Sequence, residues 1–394
     1  MVDKAYITAK VFKWARKSAR MPEEIAASKV AVPVDKLREW ETGESHPTIR
    51  QAQKLAKAYK RPFALFFLPD IPDDFKPLQD FRKPGSKELS TSSIFIIREI
   101  QQKQAWISEV NKDNNESVVR FVGRFTIKDN PVKVAQDILS TLNINPLNYK
   151  TNNPILEWIK NAESHGIFIS RTSFIHTRLK LDSNEIQGFA IADKYAPFVF
   201  INSDDWNAPQ LFTLVHELAH IWIAATGISN DVEPSIKNIG DYNPVELFCN
   251  EVAANALMPK EFIENLVRKT FDNAKEVFKN AKSVGVSSFA LLVRALNLNV
   301  ISLNSYKKLK VELNHEYNEF IKREAEKKAR QKEKGKSNSP IYYPLIINRN
   351  GRLFTQIVLD AFHGGYIEPT KASNLLNVKV NKFPKLEEQM YRWA

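Results

Sequence analysis

Apolar positions recur at three- and four-residue spacing along most of the chain, the signature of amphipathic helices. Residues 1–69 carry four or five short patterns of this kind. Val11, Trp14 and Ala15 share a face of the first. Pro22 opens the second, with Glu23 and Glu24 in its first turn, where acids suit the helix dipole. A break at 30–33 precedes a helix over 34–41, closed by Thr42 and Gly43, and 51–59 predicts another. Pro62 then leads into the apolar run 63–67. A Pro- and Asp-rich stretch at 70–91 predicts little regular structure, followed by a helix over 92–110. Helices over 131–142 and 154–163 both begin at proline, which the first helical turn tolerates. Strand-like runs follow at 167–169, 186–192 and 198–201. Two strongly apolar helices come next, around 211–223 and 244–259, the second with Pro244 in its first turn and Pro259 at its end. The remainder is again helical, apart from a strand-like PLII at 344–347 ahead of helical patterns from Gly351 and Ile367. The pattern predicts a mainly α chain with a small antiparallel sheet, an α+β architecture.

The first of the two apolar helices holds His216-Glu217-Leu218-Ala219-His220, an H-E-x-x-H pattern. Residues four apart lie one turn up on the same helix face, so both imidazoles can reach one ion. Neutral imidazole is a good zinc ligand. Glu217 flanks the first histidine and can take a proton from an attacking water. The rest of the helix is almost wholly apolar, and burying such groups without a use is costly. For a third ligand the chain offers Asp231, Glu233 and Asp241 in a loop-like segment, and Glu246 and Glu251 in the next helix. Glu246 and Asn250 are four apart and share a face, so Glu246 can bind the ion while Asn250 orients an imidazole. Glu251 is the runner-up. Two histidines and one carboxylate leave a coordination position open, as catalytic zinc sites do.

FTLVHELAH (212–220) followed by ELFCNEVAANALMP (246–259) resembles the ImmA/IrrE metallopeptidases, as do GFAIAD (188–193) and PFVFINSDD (197–205) ahead of them. The resemblance implies a zincin-like domain over 116–310. It also implies one catalytic Zn2+ held by His216, His220 and Glu246, with Glu217 as general base. The chain departs from that family at Pro209-Gln210, where an arginine is common, and at Glu251-Val252, where an apolar pair is usual. EEIAASKVAVPVDKLREWETGESHPT (23–48) resembles the XRE-type helix-turn-helix. It implies a five-helix domain over 1–69 whose Val34, Asp35, Lys36 and Arg38 face the DNA major groove. Lys13, Arg16 and Lys17 repeat at helical spacing and can track the phosphate backbone. Glu23 and Asp35 stand where that family often has amides or hydroxyls, and Pro22 where it often has glutamine.

Composition narrows the setting. The 394 residues suit two or three domains, and 43% hydrophobic with 26% charged residues is globular. No apolar run is long enough to span a membrane, and no signal-peptide core opens the chain. A single cysteine, Cys249, excludes an intramolecular disulfide; a cytoplasmic protein is expected, with Cys249 as a core residue. The net charge of +12 favours a polyanionic partner, and residues 1–62 hold 14 Lys and Arg against 7 Asp and Glu. The expected organisation is a DNA-binding domain (1–69), a linker with a connecting helix (70–115), the peptidase domain (116–310), a charged linker (311–339) and a small helical unit (340–394). His165 and His176 read as turn and surface residues. Tyr195, Tyr242 and His176 are the candidates for steadying an oxyanion. Within 283–299 a second helix-turn-helix shape reads as packing scaffold. By resemblance the protein is a zinc endopeptidase that cleaves a helix-turn-helix repressor or antitoxin and so derepresses stress, phage-defence or mobile-element genes. It would bind double-stranded DNA, commonly as a homodimer. Two rivals are a non-proteolytic regulator whose pocket senses a ligand, and a toxin–antitoxin or phage-defence component acting by protein binding.

Overall fold

Proline, glycine and capping side chains set many of the helix boundaries. The computed structural model describes residues 3–74, 76–82, 85–176, 179–204, 207–230, 232, 243–266, 268–333 and 342–392. In chain order the elements begin with α1 (Ala9–Ser18), α2 (Glu23–Lys29), α3 (Val34–Thr42), α4 (Ile49–Ala58), β1 (Gln79–Asp80) and α5 (Thr91–Asp113). Next come α6 (Pro131–Leu142), α7 (Pro154–Ser164), β2 (Phe168–Thr172), β3 (Phe174–His176), β4 (Leu179–Lys180), β5 (Gly188–Ile191) and β6 (Phe198–Asn202). Then α8 (Asn207–Trp222), β7 (Gly227–Ser229), α9 (Pro244–Leu257), α10 (Lys260–Asn265), α11 (Ala274–Ser283), α12 (Ser288–Asn297) and α13 (Leu303–Glu333) follow. The last are α14 (Tyr342–Asn350), α15 (Arg352–His363), α16 (Pro369–Leu376) and α17 (Phe383–Arg392). No helix among the described residues is long and apolar enough to cross a membrane. Two units emerge: Met1–Pro77 with Lys87–Gln101 and Phe174–Leu181, and Leu78–Ser86 with Gln102–Ser173 and Asp182–Ala394.

In the first unit α1–α4 surround Phe12, Leu37, Trp40, Leu55, Tyr59 and Phe66, all buried. Helix α3 stops where Gly43 turns left-handed at φ 87°. Helix α4 starts on a reciprocal cap: Thr48 Oγ1 accepts from the Gln51 N–H, and the Gln51 side chain accepts from the Thr48 N–H. The fifth helical element is a 3-10 turn, Phe63–Phe67; Leu68, which precedes Pro69, is extended, as a residue before proline prefers. Arg16 corrects the expectation of a basic outer stripe, because it points inward with Phe12, Ala15 and Ala19. Its Nε and Nη2 donate to Glu41 Oε1 and Oε2 at 2.6 and 2.8 Å, and Nη1 donates to the Met21 carbonyl at 3.1 Å. A buried guanidinium requires such partners, and this one ties α1 to α3.

The second unit is built on a five-stranded sheet of order β1-β7-β5-β6-β2. The expected antiparallel sheet is mixed: β5 runs antiparallel to β6 and β7, but β1 pairs parallel with β7 and β2 parallel with β6. Parallel pairs join segments distant in sequence, which local periodicity does not reveal. Strands β5 and β6 are buried on both faces, so their sequences do not alternate. Val199 and Ile201 join the core beside α8, while Phe198 meets Phe354 of α15 edge-on at 6.4 Å. Helix α8 packs against α6, α7 and α9. Its last residue is fixed twice: the Trp222 ring stacks on Phe121 at 4.2 Å, and its Nε1 donates to Asp137 Oδ1 at 2.7 Å. Residues 344–347, expected as a strand, lie in α14; a run of four apolar residues suits either state, and Pro344 sits in the first turn where it costs no hydrogen bond. Helix α12 joins the core as scaffold, with Arg294 donating to the Met258 carbonyl at 3.1 Å and to Asn255 Oδ1 at 2.6 Å. The charged run over 322–336 continues α13 as far as Glu333, and its end lies outside the described residues.

Helix α15 begins on a buried carboxylate. Glu163 accepts the N–H groups of Arg352 at 2.8 Å and Leu353 at 3.1 Å. Gly351 makes the approach possible: its φ is 82°, and a Cβ there would lie 2.4 Å from the Ile169 carbonyl oxygen. Burial pushes the Glu163 carboxyl up to about 7, against the pull of the two N–H groups. The folded state therefore holds this proton more tightly than the unfolded chain. The stabilisation is complete below the ordinary value of 4.5 and is lost as pH rises through about 7. Relative to Glu163→Gln, the wild-type protein should lose about 3 kcal/mol of unfolding free energy between about pH 5 and about pH 8. Denaturant titration of both proteins measures this, and a pH-independent difference between them would contradict it.

Candidate metal centre

Helix α8 carries His216, Glu217 and His220, and all three are fully buried. Helix α9 faces it, opened by Asn243 accepting from the Val245 N–H and by Pro244 in the first turn. This places Glu246 in the first turn of α9, opposite the histidines. His216 Nε2 lies 3.3 Å from Glu246 Oε2, His220 Nε2 lies 3.0 Å from Glu246 Oε1, and the two Nε2 atoms are 3.0 Å apart. The three groups form a cluster whose ligand atoms all fall within 4.8 Å of one another. Ligand atoms each about 2.1 Å from a tetrahedral ion stand roughly 3.4 Å apart, so the spacing matches a shared divalent ion. Nitrogen and oxygen donors in this ratio are the set that zinc accepts while keeping a position free.

The surroundings fit the same ion. Asn250 Oδ1 lies 2.9 Å from His216 Nδ1. If Nδ1 carries the proton and donates it, the Nε2 lone pair is left facing the shared point. Ser229 of β7 donates to Glu246 Oε1 at 3.3 Å. Among the described residues, neither oxygen of Glu217 has a hydrogen-bond partner of good geometry, although the residue is fully buried. Strand β5 presses against it: a Cβ on Gly188 would come 2.8 Å from Glu217 Oε1. Burial raises the Glu217 carboxyl well above the usual range, the charge of Glu246 adds to this, and the Ser229 hydroxyl offsets part of it. Burial also raises Glu246, but the two imidazoles outweigh it and bring that carboxyl down to about 2. For His220 burial lowers the imidazole, with its hydrogen bond to Glu246 working the other way. A buried carboxylate thus stands beside the converging His–His–Glu set.

The other candidates fall elsewhere. Glu251, half-buried one position beyond Asn250, is not part of the cluster. Asp231, Glu233, Asp241 and Tyr242 lie outside the described residues. The His176 side chain is likewise outside them. Tyr195 sits in the turn between β5 and β6 with Lys112 Nζ 5.3 Å from its ring centroid. His165 is exposed, its Nδ1 2.8 Å from the Asn161 carbonyl. Cys249 is buried in α9 as a core residue. In the first unit Asp35, Arg38 and Lys17 are exposed, while Val34, Lys36 and Lys13 are half-buried. Arg38 Nε donates to Glu23 Oε2 at 2.8 Å and Nη1 to Asp35 Oδ1 at 3.1 Å; Lys36 pairs with Glu39. Two contributors were not assigned to the site from the sequence. Ser229 lies in a short GIS strand that reads as loop, and Phe81 stacks on the His220 ring from a segment that reads as linker.

Residues 162–296 match the peptidase M78 family model, described as the IrrE N-terminal-like domain. That segment covers about a third of the chain and contains His216, Glu217, His220, Glu246 and Asn250. The match supports an ImmA/IrrE-like metallopeptidase domain and with it a metal. No curated protein matches the chain. Replacing Asn250 with Ala should weaken divalent-metal binding about 10- to 100-fold, while Glu251→Ala should leave it unchanged. Competition against a chromophoric chelator reads both. Equal losses in the two variants would reassign the ligand-supporting face of α9.

Proposed function

We propose that the protein is a zinc-dependent endopeptidase joined to an N-terminal DNA-binding module, acting on a helix-turn-helix repressor or antitoxin. The observation that carries the peptidase reading is the convergence of His216, His220 and Glu246 beside the unpartnered carboxylate of Glu217. A zinc ion bound there would supply a lowered water pKa and a polarised substrate carbonyl. The chain's own groups do the rest. His216 and His220 present Nε2, with Asn250 fixing the tautomer of the first, and Glu246 completes the donor set. Glu217 takes the proton of the attacking water and can pass it to the leaving amine. No group among the described residues holds it in a well-formed hydrogen bond, which leaves it available for both transfers. The M78 match over the same segment supports this chemistry. Cleavage of a repressor would release genes of a stress, phage-defence or mobile-element response.

The DNA-binding part rests on the resemblance of residues 23–48 and on the +12 charge of the chain. Arg38 would exchange its bonds to Glu23 and Asp35 for phosphate or base contacts, and Lys17 would reach the backbone from α1.

Glu217→Gln should retain zinc and DNA binding but lose cleavage by roughly 10²- to 10⁴-fold. The assay incubates the protein with the helix-turn-helix proteins encoded beside its gene, with and without chelator. Fragments that persist in the Glu217→Gln variant would remove Glu217 as the base. Stable complexes without fragments would favour a role by binding alone. Replacing Lys17 and Arg38 together with Ala should weaken binding to DNA upstream of the protein's own gene. The slope of log affinity against log salt should shrink by about two. An unchanged slope would leave these two residues without a DNA role.

A further inference from the structure

Asp80-Phe81-Arg82 has no part in the step described above, yet it is built into the second unit. Its segment, Leu78–Ser86, belongs to that unit although the residues on either side belong to the first. Gln79 and Asp80 pair as β1 with Gly227 and Ile228, and the Phe81 N–H donates to the Ile228 carbonyl at 3.1 Å. The Asp80 carboxylate accepts from Arg82 three times: from the backbone N–H at 3.1 Å, Nε at 2.9 Å and Nη2 at 2.7 Å. Between these charges the Phe81 ring is 3% exposed and stacks on His220, centroids 5.3 Å apart and planes 14° from parallel. Gly227 makes the room: a Cβ there would lie 2.3 Å from Phe81 Cε2.

The two histidines are braced unequally. His216 has Asn250 on its Nδ1. His220 Nδ1 is buried without a side-chain partner among the described residues, and the Ala225 backbone carbonyl is the acceptor it faces, at less than ideal hydrogen-bond geometry. The χ2 torsion of histidine is broad, so a ring without a side-chain brace can swing and carry Nε2 away from any fixed point. A flat ring lying parallel against one face blocks that swing while leaving the ring edge, and hence Nε2, free.

We propose that Phe81 is the positioning residue for His220, held in place by the Asp80–Arg82 clip, so that the segment after the N-terminal helices forms part of the divalent-cation site. The proposal rests on the metal-centre reading. Loss of the aromatic ring should cost about tenfold in metal affinity, the lower end for an outer partner of a metal ligand.

The test uses the full-length protein stripped of metal and titrated with Zn2+ against a chelator, and with Co2+ followed by its visible d–d spectrum. Phe81→Leu keeps apolar bulk but loses the flat face; it should bind Zn2+ about tenfold more weakly and shift the Co2+ bands. Phe81→Tyr keeps the flat face and should match wild type in both. Thermal melts of the apo proteins establish that each variant is folded. Wild-type affinity and spectrum in Phe81→Leu, or equal losses in the Leu and Tyr variants, would overturn the role of the ring. Failure of the wild-type protein to bind either metal would instead remove the metal centre itself, and this proposal with it.

Discussion

Two imidazoles and two carboxylates share the interior of a helix pair whose other positions are nearly all apolar, and that burial governs the rest of the second unit. Leaving a buried polar group unpaired costs about 1–3 kcal/mol, and more when it is charged. Glu217 has two such oxygens. A fully buried Leu, Ile or Phe returns about 1.5–3 kcal/mol, so several well-packed neighbours offset one such site. Leu211, Leu214, Val215, Leu218, Ile221 and Trp222 provide them along α8 itself, each at most 1% exposed. The site is thus a local instability that a large, tight core tolerates, and a bound cation would relieve it by giving the anionic groups a counter-charge.

The bracing follows from that tension. Trp222 anchors the end of α8 through Phe121 and Asp137, so the histidines keep their depth. Arg294 ties α12 to the end of α9 through Asn255 and the Met258 carbonyl. Gly188 lets the backbone of β5 lie directly against Glu217, where any side chain would push the carboxylate aside. Each brace acts on backbone placement or on a polar partner of the site, and none adds a further charge beside it.

The helical faces that carry the candidate site were legible in the sequence because their information is local. Four-residue spacing puts His216 and His220 on one face, and Pro244 marks the turn from which Glu246 and Asn250 project. The observed boundaries of α6 fall on the expected Pro131 and Leu142 for the same reason. What stayed hidden depends on partners distant in sequence. Nothing around Gln79 announces that Gly227 will pair with it, so the mixed order of the sheet could not be read. Arg16 and Lys103 look like solvated charges. Arg16 is claimed by Glu41, and Lys103 is 2% exposed with its Nζ donating to Asn350 Oδ1 at 2.7 Å, 247 residues along the chain. Periodicity shows which face a residue occupies, but a buried cation is revealed only by the acceptor that meets it.

Strand β1, only two residues long, has a further consequence for how molecules of this protein coexist at high concentration. An open sheet margin templates the strands of other molecules, and barriers of short length and charge are the usual protection. Here β1 covers β7 with two paired residues, and the Asp80–Arg82 couple follows at once. The margin of the sheet is therefore short and charged, the kind of edge that offers an incoming strand little to pair with.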